Sequence, residues 1–191
     1  AIWGIRLTAN FLSGWRGLDD EDWRYAAFRE KTPRAYWLVS LSGFHLFPTV
    51  LTFAGSLALY PAVAIGGGPL GWLDLAAGIV TLGAIIIEAM ADQQLAQFAA
   101  RPGGGVMDEG LWSYSRHPNY FGEIMFWWGL WMFGLAAAPQ WWWTVVGPAS
   151  ITLLFIFISI PMLERRQLDR RPSYRGYADR VSPLIPWFPG D

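Results

Sequence analysis

Two runs without a single Asp, Glu, Lys or Arg, Ala35 to Leu73 and Ile124 to Leu163, constrain this chain more than any other feature. Each is long enough for more than one helix of roughly 20 residues, the length that crosses about 30 Å of hydrocarbon. A hydrophobic share of 53% and 13 Trp lie beyond the usual range of a soluble domain. The expected fold is therefore all-α, a polytopic integral membrane helix bundle forming a single membrane domain over 1–191. Four full transmembrane helices are expected, at 35–59, 70–98, 118–135 and 141–163, after a partial one at 1–14. A connector at 15–34 and a tail at 164–191 complete the chain as amphipathic cytoplasmic segments. Ala1 opens inside an apolar stretch, AIWGIRLTANFL, so further helices are expected upstream.

Smaller signals refine the boundaries. Asp19 or Asp20 is a candidate cap for a short helix through Arg29, with Trp23 and Phe28 at the interface. Pro48 is a candidate kink in the first span. Lone His45 reads more readily as a hydrogen-bonded core residue than as a ligand. The absence of cysteine and the presence of only His45 and His117 exclude disulfides and leave no zinc or iron cluster. No metal and no nucleic-acid partner are expected.

Charge placement orients the bundle. Apart from Arg6, the basic residues fall in the connector (Arg16, Arg24, Arg29, Lys31, Arg34), in 99–117 (Arg101, Arg116) and after Leu163. None lies near 60–70 or 136–141, so four spans place the basic segments on one side, which the positive-inside tendency makes cytoplasmic. Glu88 and Asp92, four apart on one helix face, reach the same mouth, where two carboxylates call for a cation or a donor-rich ligand.

The chemistry concentrates in GLWSYSRHPNYFGE, Gly110 to Glu123. A helix started at Pro118 would bring Arg116, Asn119, Tyr120 and Glu123 towards one face. Arg101, Arg116, Arg165, Arg166, Arg170 and Arg171, with Tyr114, Tyr120, Tyr174 and Tyr177, make a set suited to a phosphate-rich nucleotide. Asp92, Asn119 and Glu123 are acceptors or amides for ribose or a carboxamide. Two structural alternatives stand beside this reading. The tail arginines would also anchor helices to anionic headgroups, and Arg116 with Glu123 would also form a simple ion pair along one helix.

The same residues resemble the membrane reductases related to steroid 5-alpha-reductase and the sterol C14 reductases, in particular their uncharacterised bacterial relatives. The similarity runs through WGIRLTANF, GLDDEDWRY, ADQQLAQF, the long motif, ERRQLDRRPSYRGY and PLIPWF. The resemblance implies NADPH in a cytosol-facing cavity of a bacterial inner-membrane protein, reducing a C=C bond of a hydrophobic lipid- or steroid-like substrate. By position it assigns cofactor contacts to Asp92, Arg101, Tyr114, Arg116, His117, Asn119, Tyr120, Glu123, Glu164, Arg165, Arg166, Tyr174 and Tyr177. Tyr120 and Glu123 are the candidates for proton transfer. The carbonyl-polarising Tyr of the steroid-reducing members is replaced here by Trp3 near its expected place, and their Glu would fall before Ala1, so steroid reduction is not implied.

Part of the pattern, Arg116 to Gly122 and Glu164 to Tyr177, also resembles the isoprenylcysteine carboxyl methyltransferases, which bind S-adenosylmethionine. A non-catalytic lipid-binding or accessory membrane subunit is the third reading. Asn119, Glu123 and Asp92-Gln93 favour the reductase.

Overall fold

The computed structural model describes residues 1–191 except 16, 18–20, 67, 104 and 191, and the described residues form helices and connections with no strand. We number the helices α1 (Ile2–Gly14), α2 (Trp23–Lys31), α3 (Tyr36–Ile65), α4 (Trp72–Ala99), α5 (Pro118–Ala137), α6 (Pro139–Arg170) and α7 (Tyr174–Arg180). Two compact units divide the chain, Ala1–Phe53 and Ala54–Asp191.

In the first unit, α2 starts at Asp22, whose side chain accepts from the Arg24 amide at 2.9 Å. The proposed caps Asp19 and Asp20 lie outside the described residues. Tyr25 and Phe28 pack on Phe44, with ring centroids 4.6 and 5.2 Å apart. The kink signal at Pro48 has a specific form: residues Ser40–Leu46 adopt a wider π-helical turn just ahead of the proline. Proline has no amide to donate and its ring crowds the carbonyl four residues back, and a widened turn relieves both. His45 Nδ1 lies 2.9 Å from the Ser40 carbonyl, a local contact within that turn.

The second unit is organised on the antiparallel pair α4 and α5. Gly122 faces Ala84 and Glu88, and Gly129 faces Thr81. Small residues let the backbones approach closely, which is how apolar helices associate where lipid removes the hydrophobic incentive. Gly134 meets Ala58, and Gly147 on α6 meets Ala54 and Gly55, by the same device. On the outer face of α4, Leu75, Ile79, Leu82 and Ile86 form a stripe 56–68% exposed, as expected of a surface turned to lipid.

Three helices, α3, α4 and α6, are long and apolar enough to cross a membrane. The remaining expected span, α5, is long enough but less apolar. It has 20 residues, about 30 Å of axial rise, but its first turns carry Asn119, Tyr120 and Glu123 and its middle carries Trp127, Trp128 and Trp131, which lower its mean hydropathy. Element ends also shift. Helical structure runs past Tyr60-Pro61 to Ile65, and the last span continues without a break to Arg170. Glu164 to Arg170 thus extends the final span instead of forming a separate surface helix. The break at Pro172 stands, and α7 follows it.

Candidate functional site

The motif folds as a turn that feeds α5. Gly110 sits at φ +60°, in the left-handed region that disfavours a side chain, and opens a 3₁₀ turn over Gly110–Ser113. The Gln94 side chain of α4 caps it, Oε1 accepting from the Leu111 amide at 3.0 Å. Trp112 points back into the bundle, its indole donating to the Ala91 carbonyl at 3.1 Å. Pro118 is the first residue of α5 and His117 its cap position.

Arg116 is consumed by the protein itself. Its Nε donates to Glu164 Oε1 at 2.6 Å and its Nη2 to Glu164 Oε2 at 3.1 Å. The remaining nitrogen, Nη1, donates to the Ala178 carbonyl and, at 2.8 Å, to the Val181 carbonyl. The Arg116 amide adds a bond to the Ser182 carbonyl at 2.8 Å. A planar guanidinium with five donors in a fork suits such a junction. Arg116 therefore ties α6, the end of α7 and the following strap to the motif. The alternative reading of Arg116 as an ion-pair partner of Glu123 is corrected, since its carboxylate partner is Glu164. Arg116 precedes α5 by two residues, so it does not share the helical face of Glu123. Glu123 Oε1 instead accepts from the Trp127 indole at 2.9 Å.

His117, 6% exposed, brings Nε2 to 3.3 Å from Glu164 Oε1 and stacks on Tyr120 at 5.3 Å with 10° between planes. Tyr120 packs in turn on Phe155. Asn119 Nδ2 donates to Asp92 Oδ1 at 3.3 Å, which links α5 to α4 and supplies one donor to that carboxylate.

Tyr174 and Tyr177 are buried together below these residues. Burial, helped by the nearby Glu164 carboxylate, pushes the Tyr174 hydroxyl up to about 12. Burial also raises Tyr177, so its hydroxyl stays a donor at ordinary pH, and it donates to the Trp112 carbonyl at 2.6 Å. Tyr177→Phe is expected to leave that buried carbonyl short of a partner and to lower stability by about 1 kcal/mol. Thermal unfolding in detergent checks this.

A cavity of about 670 Å³ opens among these elements, within the usual range for small-molecule sites. Of the residues singled out in the sequence it is lined by Arg101, Arg116, His117, Asn119, Tyr120, Arg171, Tyr174 and Tyr177. Asp92, Glu123 and Glu164 stand behind the lining, bonded to lining or helix residues as described. Tyr114 does not reach the cavity, because its ring turns to Phe188 at 6.1 Å. Arg165 and Arg166 do not line it either. Sequence reasoning gave no role to Phe98, Met107, Trp112 or Gln167, which do line it. Trp112 lies inside the motif, but nothing in the sequence distinguished it from the other tryptophans. At the rim, Arg101 pairs with Glu109 at 2.9 Å, both more than half exposed, and Arg171 donates to the Gln167 amide oxygen at 3.2 Å. Among the described residues the lining holds three arginines and a histidine and no carboxylate.

Over residues 1–181 the sequence matches the family described as "Protein of unknown function (DUF1295)". The chain belongs to the DUF1295 family. "Uncharacterized protein C594.04c" of Schizosaccharomyces pombe is 26% identical over 219 residues, an alignment that takes in 99% of this chain and 62% of that protein. "Methanethiol S-methyltransferase 1" of Bradyrhizobium diazoefficiens is 37% identical over 78 residues, 40% of this chain and 25% of that one. This DUF1295 chain thus spans less than two thirds of the length of either relative. No solved structure matches. Membership of DUF1295 and the helical membrane fold agree with part of the expected resemblance, and the relative that carries an activity in its name is a methyltransferase.

Proposed function

We propose that this protein is a membrane enzyme that binds an anionic dinucleotide, NADPH, in the 670 Å³ cavity and reduces a C=C bond of a hydrophobic substrate. The observation that carries the reading is the sign of the lining: three guanidinium groups, one imidazole and no carboxylate among the described residues. Arg116 is neutralised by Glu164 and Arg101 is paired with Glu109 at the rim, so Arg171 is the cation that would meet the phosphates, with the exposed Arg101 able to exchange Glu109 for them. Phe98, Trp112 and Tyr120 offer ring faces, and Asn119, braced by Asp92, offers an amide. NADPH would supply the hydride to one carbon, Tyr120 in the lining is the candidate to pass the proton to the other, and the chain supplies position and charge. Leu95, Leu163 and Val106 give the cavity an apolar side for a lipid-like substrate. The positive-inside tendency supports a cytoplasmic side for the cavity.

A second reading is favoured by one observation, the stretch shared with methanethiol S-methyltransferase 1. S-adenosylmethionine carries a sulfonium cation that aromatic faces can hold and a carboxylate that Arg171 could meet. It lacks phosphates, and a lining whose charged side chains are all arginines suits it less well than NADPH.

Calorimetry of the purified protein with each cofactor decides between them. NADPH is expected to bind, and Arg171→Ala and Asn119→Ala are each expected to weaken it. The Arg171 loss should reach about 10-fold or more, the worth of a charge-assisted hydrogen bond, and should shrink as salt is raised. Binding of S-adenosylmethionine without NADPH would reverse the assignment.

A further inference from the structure

After α7 the chain doubles back as a strap that is pinned at three points. The Arg116 amide donates to the Ser182 carbonyl at 2.8 Å, Ser115 Oγ to the Leu184 carbonyl at 2.7 Å, and the Trp187 amide to the Tyr114 carbonyl at 2.9 Å. Ser115 is fully buried, so this anchorage is part of the interior. Yet the strap holds three large apolar side chains outward: Ile185, Trp187 and Phe188 are 64%, 70% and 77% exposed. Tyr114, 43% exposed, meets Phe188 edge-on and extends the patch. A tail with no task for these side chains could turn them inward or leave the strap unpinned. Here the backbone fixes them in the open.

Their depth along the bundle can be read from α5. Tyr114, to which Trp187 is bonded, lies four residues before Pro118, where α5 begins. Twenty residues later α5 ends at Ala137, next to Trp142 and Trp143, 63% and 45% exposed. The helix between the two aromatic clusters rises about 30 Å, the thickness of the hydrocarbon layer. Trp and Tyr concentrate at the two membrane–water boundaries, where an apolar body and a polar edge are both accommodated. Charge agrees with this placement. Between Glu164 and Phe188 the sequence carries six arginines against three carboxylates, a balance suited to anionic headgroups.

We propose that Ile185, Trp187 and Phe188 form a wedge that the pinned strap seats in the headgroup–hydrocarbon boundary of the leaflet at the basic end, an attachment separate from the transmembrane spans. Its occupant is the lipid of an anionic leaflet. The proposal is independent of which cofactor the cavity takes. Because the strap also accepts from Arg116, the wedge and the wall of the cavity share one backbone, and the membrane contact helps to hold that wall.

The chain contains no cysteine, so a single environment-sensitive nitrobenzoxadiazole label can be attached through Trp187→Cys, and separately through Ile185→Cys in case the first variant folds poorly. An Asp179→Cys label on α7, exposed in the structure, serves as the water-facing reference. The protein is placed in nanodiscs of mixed phosphatidylcholine and phosphatidylglycerol. The wedge labels are expected to emit further to the blue than the reference, to be quenched by lipids carrying a nitroxide near the headgroup, and to show several-fold weaker iodide quenching. Iodide access equal to that at position 179 overturns the proposal. Shielding from iodide with no quenching by nitroxide lipid also overturns it, because the patch would then be covered by protein.

Discussion

Arg116→Ala is expected to destabilise the protein by about 3–5 kcal/mol, the range for removing one partner of a buried ion pair. The side chains of Arg116 and Glu164 are 11% and 19% exposed, so water can do little to replace the lost bonds. Three groups are left short at once. Among the described residues the Glu164 carboxylate keeps His117 at 3.3 Å, and the Ala178 and Val181 carbonyls lose the Nη1 donor. Arg116→Lys should recover little, because one ammonium cannot reproduce a fork that spans a carboxylate and two carbonyls. The check is thermal unfolding of Arg116→Ala, Glu164→Gln and the double variant. A coupling energy of about 1–3 kcal/mol is expected for residues that share one network. Additive effects, or an Arg116→Ala protein that melts like the parent but binds cofactor poorly, would return Arg116 to the ligand.

The Arg116 junction marks the limit of what is legible in the sequence. The runs Ala35 to Leu73 and Ile124 to Leu163 announced a helical membrane protein, because their lack of charge is a property of the chain alone. Pro118 as the start of a helix was equally legible, since the fixed φ and missing amide act locally. The partner of Arg116 was not. Glu164 is 48 residues away, and the carbonyls of Ala178 and Val181 carry no side-chain signature at all. Counting basic residues gathered Arg101, the motif and the tail at one end, yet it could not say which guanidinium groups would be spent on the fold. The same limit explains Tyr114 and Trp112. They are two residues apart in one motif, and only the turn after Gly110 decides that Trp112 enters the bundle while Tyr114 meets Phe188 at the surface.

Gly122 of the motif makes the complementary case, in which a residue beside the cavity serves packing. A Cβ on Gly122 would lie 2.9 Å from the Ala84 carbonyl oxygen and 3.0 Å from the Glu88 amide nitrogen, with the Glu88 Cβ at 2.8 Å. Two of these neighbours are backbone of α4 and cannot rotate aside. The helices would have to part, opening the contact along Thr81, Ala84 and Glu88 that the small residues make possible. Overpacking of a tight core typically costs about 1–3 kcal/mol, and a β-branched side chain against backbone should reach or pass the upper end of that range. Gly122→Val is therefore expected to lose that much stability by thermal unfolding, whether or not a cofactor is present. Gly83→Ala on α4, whose added Cβ would meet nothing within 4 Å, should be neutral or slightly stabilising, since alanine restricts the unfolded chain. If Gly122→Val instead kept the parent's stability and lost only ligand affinity, close approach of a bound molecule, and not of α4, would be what the glycine provides.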